Sequence, residues 1–118
     1  MLLGGEINAI YGFTFGDDAV QQLERYQPAW AILSVDGVNA AQGITTYHAE
    51  EAMVNRIMIQ QAHQVIVAAD RRKVGRAGFT GICRLDDCFT VITDSGARPE
   101  ELDEIRATGA AVEVAEEA

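Results

Sequence analysis

The chain has 118 residues, with 18 acids against 9 bases and a formal net charge of −9, a size that suits one modest core and a charge that repels nucleic-acid backbones. Any anionic ligand therefore needs a local basic site. No apolar run is long enough to span a bilayer, and the opening "MLLGG" is too short for a signal-peptide core, so the chain reads as soluble and cytoplasmic, with no membrane partner.

The pattern predicts a first helix over Asp17–Gln27, with acids in its first turn and Pro28 just beyond its end. A strand follows at Ala29–Val35, "AWAILSV", whose length and apolar composition suit a buried position. After a glycine-bearing stretch, Ala49–Ala62 reads as a second helix, with Glu50 and Glu51 where the helix dipole favours negative charge. Val65–Ala69 and Phe89–Thr93 are further short β-branched runs. Pro99–Thr108 is predicted as a third helix, begun by proline and stopped at Gly109, and Ala111–Val114 as a last strand. Strands alternating with helices predict an α/β fold with a mainly parallel sheet.

On that reading Asp36, Asp70 and Asp94 each stand at the carboxyl end of a parallel strand, the edge where open α/β sheets bind ligands. Aspartate also suits turns and caps, so any one of them alone is explained without a ligand. Asp70 opens "DRRKVGR", which places Arg71, Arg72, Lys73 and Arg76 together in an otherwise acidic chain. Lys73 is the sole lysine, a compact cation suited to a phosphate or carboxylate, and Gly75 and Gly78 permit tight turns nearby. A solvated surface loop is the competing account. In "SVDGVNAAQGITT", Gly37 and Gly43 allow sharp bends, and Thr45 and Thr46 offer hydroxyls just before the second helix. Such hydroxyls either meet ligand oxygens or cap the helix.

"SVDGVNAAQGITT", "EEAMVNRIMI", "VIVAADRRKVGR" and "TVITD", in this order, resemble the C-terminal effector-binding domain of DeoR-type transcriptional repressors. The carrying motifs are Asp36-Gly37, Gly43-Ile44-Thr45-Thr46, Asp70 through Lys73 to Gly75, and Thr93-Asp94. The similarity covers nearly the whole chain, with "LLGGE" matching a strand before the first helix. It implies a three-layer α/β fold related to ribose-5-phosphate isomerase, with helices on both faces of the sheet and the N-terminal part of the fold outside this chain. It also implies a sensor for a phosphorylated sugar or sugar derivative, which controls an N-terminal helix-turn-helix that this chain lacks; DNA is then a partner only through that domain. The ligand residues it implies are Asp36, Gly37, Gly43, Thr45, Thr46, Asp70, Lys73 and Gly75. The chain starts after the family's early Gly-Thr-Thr phosphate loop, and carries Tyr47-His48 where proline is frequent. Family habit further implies a homo-oligomer.

Two other functions are weighed against the sensor. A sugar-phosphate isomerase could use Asp36, Glu50 or Glu51 and Lys73 for proton transfer and carbonyl polarisation, but a strand end and a helix start account for those acids, so no catalytic residue is expected. A pure oligomerisation module would bind no ligand. In the second helix Ala49, Met53 and Ile57 form one apolar stripe, and Val54, Met58 and Ala62 another, so one needs cover beyond the sheet. Neither cofactor nor metal is expected, because His48, His63, Cys83 and Cys88 match no common zinc spacing. The cysteines read as reduced, buried thiols, and Trp30, Phe13, Phe15, Phe79 and Phe89 as core aromatics. The acidic tail "EVAEEA" is expected to fray.

Overall fold

The computed structural model describes residues 6–8 and 13–115. Strands β1 (Glu6–Asn8) and β2 (Phe13–Phe15) form an antiparallel pair, followed by helix α1 (Asp17–Leu23). Of the expected first strand "LLGGE", only Glu6 falls among these residues, and the last three residues of the tail also lie outside them.

Helix α1 stops four residues short of the expected Gln27. The amides of Arg25 and Tyr26 turn back to the carbonyls of Gln22 and Leu23, and residues 24–30 are exposed, so a further turn would bury nothing. The Gln61 side chain donates to the Glu24 and Tyr26 carbonyls at 2.9 and 3.0 Å, satisfying oxygens that a longer helix would have used.

The main sheet contains β3 (Trp30–Ser34), β6 (Gln64–Ala68), β8 (Phe89–Asp94) and β9 (Ala111–Ala115) in that spatial order, every pair parallel. Helix α2 (Ala49–Gln61) returns the chain from β3 to β6, and α3 (Pro99–Ala107) from β8 to β9. These are the four strands and the two later helices the sequence predicts, within a residue or two. A second sheet, antiparallel, holds β4 (Gly37–Asn39), β5 (Gly43–Thr46) and β7 (Thr80–Cys83).

The core is continuous across these layers. Ala31, Leu33, Val65, Val67, Phe89 and Val91 project from one face of the main sheet. Against them pack Val38, Ile44 and Ile82 of the small sheet, Ala52 of α2, and Leu102 and Ile105 of α3. Burying such side chains contributes roughly 1.5–3 kcal/mol each before entropy is charged. Helix α1 packs on the outer side of α2, where Ala19 and Leu23 meet Val54, Ile57 and Met58. Part of each α2 stripe is thus covered within the chain, while Met53 remains 55% exposed.

The opposite face of the main sheet is open among the described residues. Trp30 is 56% exposed, Ile32 is 66% exposed, and Ala68 is exposed beside them. Trp30 is therefore not a core aromatic: it alternates out of step with Ala31 and Leu33, which take the buried face. Phe79 is likewise a surface residue, 89% exposed, whereas Phe89 is buried as expected; the side chains of Phe13 and Phe15 lie outside the described set. Of the two free thiols, Cys83 is half-buried, but Cys88 is exposed because it sits in the turn Asp86–Cys88 that leads into β8. None of the described helices is long and apolar enough to cross a membrane.

Candidate functional site

Because β3, β6 and β8 run parallel and in register, Asp36, Asp70 and Asp94 fall on one edge of the sheet, each just after the buried Val35, Ala69 and Thr93. Helix α2 also begins at this edge, since it must run back to the start of β6. Sequence order thus brings three acids, a helix N-terminus and the basic loop together.

The aspartates are engaged differently. Asp94 Oδ1 accepts the Arg71 amide at 2.7 Å, and its other oxygen lies 3.9 Å from the Arg71 guanidinium. Asp70 accepts the Arg72 amide at 2.9 Å and pairs with the Arg72 guanidinium at 3.1 Å. That hydrogen-bonded guanidinium holds the Asp70 carboxyl below its ordinary range, and Asp70 in turn raises Arg72. Both pairs are solvent-exposed, so they shape the loop more than they stabilise the fold. Asp36 has no ion pair with an arginine among the described residues. Its Oδ2 accepts the Thr46 hydroxyl at 2.9 Å and the Tyr47 amide at 2.9 Å, while Oδ1 has no hydrogen bond to the described residues.

Lys73 is left as a cation with neither hydrogen bond nor ion pair from its side chain to the described residues, although its charge acts on Glu51 and Asp70. Its backbone is fixed. The Val38 amide donates to the Lys73 carbonyl at 3.0 Å, the Gly75 amide donates to the Val38 carbonyl at 2.7 Å, and Val38 and Val74 form a parallel bridge. The loop is therefore stitched onto β4 as an extra short strand.

The glycines make that close approach possible. Any side chain at Gly37 would run into the Arg76 carbonyl oxygen, and one at Gly43 (φ 79°) into the Cys83 carbonyl oxygen. Gly75 adopts φ 86°, a left-handed conformation, with the Glu101 carboxylate where a Cβ would stand. Gly75 and Glu101 also line a shallow cleft of about 240 Å³ with Asn39, Ala40, Ala41 and Glu104.

Thr45 and Thr46 are both buried and have different partners. Thr45 Oγ1 accepts the Gly78 amide at 2.6 Å and donates to the Gly37 carbonyl at 3.3 Å, so it clamps the far end of the basic loop. Thr46 faces the acids: besides Asp36, its Oγ1 lies 3.3 Å from Glu51 Oε2. Glu51 is partly buried, and burial, reinforced by the negative charge of Asp36, pushes its carboxyl above the ordinary glutamate range. Asp36, Thr46 and Glu51 thus form one polar group at the sheet edge, and the charge of Lys73 acts on it through Glu51. Glu51 is the member that the motifs leave out, since a glutamate in a first helical turn is already explained by the dipole; its position five residues after Thr46 is the available signal. Among the described residues the one trio with metal-ligating atoms close together is the exposed Asp86, Asp87 and Cys88, so His48, His63, Cys83 and Cys88 are not assembled into a site.

A family model for the DeoR C-terminal sensor domain matches residues 1–95. The chain is 39% identical over 93 residues to the HTH-type transcriptional repressor GlcR of Bacillus subtilis, across 79% of the chain and 36% of that protein. It is 29% identical over 112 residues to a putative aga operon transcriptional repressor of Escherichia coli O157:H7, across 95% of the chain and 42% of that protein. With the HTH-type transcriptional regulator GlpR of Haloferax volcanii it shares 27% identity over 111 residues, 94% of the chain and 44% of the regulator. It therefore spans less than half the length of these relatives. The matched residues include every motif at the sheet edge, from Asp36-Gly37 to Thr93-Asp94. The chain belongs to the DeoR C-terminal sensor domain family.

Proposed function

We propose that this sensor domain binds a phosphorylated sugar or sugar derivative at the carboxyl edge of the main sheet, and that the bound ligand controls DNA binding by an N-terminal helix-turn-helix in the complete regulator. The observation that carries the reading is the combination, at the same edge, of a Lys73 side chain and an Asp36 oxygen that both lack a hydrogen-bond or ion-pair partner among the described residues. Lys73 meets a phosphate or carbonyl oxygen, and Asp36 and Asp70 accept from sugar hydroxyls. Thr46 contacts a ligand oxygen in exchange for one of its present partners. Gly37, Gly43, Thr45 and Gly75 shape the site by fastening β4, β5 and the loop together.

The domain acts by binding rather than catalysis, in keeping with relatives named as transcriptional repressors. DNA is a partner only through the helix-turn-helix, and the working regulator is a cytoplasmic homo-oligomer. Thermal-shift screening with sugar phosphates and their unphosphorylated parents tests the reading. A sensor is stabilised by one or a few phosphorylated compounds, about 2.7 kcal/mol at a hundredfold excess over Kd. A domain that serves only to oligomerise responds to none.

A further inference from the structure

The Thr46 hydroxyl is crowded. Asp36 Oδ2 lies at 2.9 Å, Glu51 Oε2 at 3.3 Å and the His48 amide nitrogen at 3.4 Å. Only one of these contacts can use the hydroxyl hydrogen, because a hydroxyl has one to give. Asp36 takes it: it is the nearer acceptor, and the Tyr47 amide, donating to the same oxygen at 2.9 Å, holds that oxygen in place. Glu51 Oε2 then faces a lone pair of Thr46, and an ionised carboxylate there would have no hydrogen between the two oxygens. Thr46 is 1% exposed, so water has little access to mediate. A hydrogen on Glu51 resolves the arrangement, giving a chain in which Glu51 donates to Thr46 and Thr46 donates to Asp36.

The charged groups around Glu51 come from three segments: Asp36 after β3, His48 before α2, and Lys73 after β6. Burial and then Asp36 favour the protonated acid, whereas the Thr46 hydroxyl when it donates to Glu51, a protonated His48 and Lys73 favour the carboxylate; with the Thr46 hydrogen given to Asp36, the two charges are the opposition that remains. An anion on Lys73 cancels one of the two opposing charges. We propose that Glu51 is the proton-carrying member of a carboxyl pair bridged by Thr46, and that an anion seated at Lys73 tightens its hold on that proton, so that binding draws a proton from solvent into those molecules whose Glu51 has ionised. In them the new bond is the O–H of Glu51, the proton is released by water or buffer, and no other bond is broken. This inference rests on the reading of Lys73 as the anion seat. Since the liganded domain then holds more protons than the free one, affinity for an anion of fixed charge rises as pH falls through the titration of Glu51.

The test is a carbon-detected NMR titration of the carboxyl groups of the 118-residue chain, with the Glu51 resonance assigned through Glu51→Gln. It is run on wild type and Asp36→Asn, with and without sulfate, an anion that does not titrate in the range used. Asp36→Asn keeps an acceptor for the Tyr47 amide and so keeps the turn. The expected result is a Glu51 midpoint above the ordinary glutamate range, lowered in Asp36→Asn and raised by sulfate. A Glu51 that titrates within the ordinary glutamate range and ignores Asp36→Asn overturns the carboxyl pair. Sulfate that perturbs Lys73 but leaves the Glu51 midpoint unmoved overturns the proton coupling and spares the anion seat. Sulfate that leaves Lys73 unperturbed overturns the seat and the coupling to it, while the comparison with Asp36→Asn still judges the pair.

Discussion

The Thr45 hydroxyl accepts the Gly78 amide at 2.6 Å, tying β5 to the end of a basic loop 33 residues further along the chain. The same hydroxyl donates to the Gly37 carbonyl at 3.3 Å, so one buried side chain fixes the floor and the rim of the candidate site. Thr45→Val keeps the shape and removes both bonds, leaving the amide and the carbonyl without that partner. The expected cost is about 1–3 kcal/mol in urea unfolding, and Thr45→Ser, which restores the hydroxyl, should recover most of it.

Gly37 is held against the loop by contact rather than by a bond. A methyl group there meets the Arg76 carbonyl and the Thr45 hydroxyl, both fixed by other hydrogen bonds. Gly37→Ala is expected to cost about 1–3 kcal/mol, as overpacking of a fixed environment does. Amide exchange should quicken at Gly75, whose bond to Val38 depends on that approach.

Much of this was legible in the sequence, for identifiable reasons. The strands around Leu33, Val67 and Val91 are apolar runs of strand length, and α3 carries proline at its start, so their physics is local. The small sheet was not legible: "GVN" and "GITT" are too short and too rich in glycine to show a strand period, and they pair because Thr45 and Val38 find partners far along the chain. The site divided in the same way. Asp36, Asp70, Lys73 and the threonines stand in motifs, whereas Glu51 joins them only through the turn that brings α2 back to Thr46. Trp30 was misjudged because burial on one face of a strand follows its neighbours' alternation, not its own hydrophobicity.

The open face of the main sheet makes a clear contrast in stability. Ile32 is 66% exposed and Leu33 is 2% exposed, although they are adjacent in β3. Ile32→Lys should change the unfolding free energy by no more than about 0.5 kcal/mol, whereas Leu33→Ala should cost about 2–5 kcal/mol. Emission from Trp30, the only tryptophan, should be that of a water-exposed indole and should be readily quenched by iodide.

The two thiols should both react slowly at neutral pH, for different reasons. Burial pushes Cys83 up to about 11, and the carboxylates of Asp86 and Asp87 raise Cys88. The thiolate is the reacting form, and its fraction grows as pH rises toward the pKa, so alkylation of each should accelerate with alkali. Asp86→Asn should speed Cys88 at neutral pH more than Cys83, because Cys83 is held chiefly by burial. Equal acceleration of both, followed by mass spectrometry, would contradict these causes.

Lys73 carries the central claim, and calorimetric titration tests it most directly. The phosphorylated sugar that stabilises the domain most in the thermal screen is titrated, beside its unphosphorylated parent, into wild type and Lys73→Ala. The account predicts that wild type prefers the phosphorylated compound, and that Lys73→Ala weakens that compound about tenfold or more, about 1.4 kcal/mol, with little change for the parent. Melting of the variant should stay within a few degrees of wild type, since the Lys73 side chain holds no structural partner among the described residues. A Lys73→Ala domain that binds the phosphorylated sugar as tightly as wild type would contradict the account.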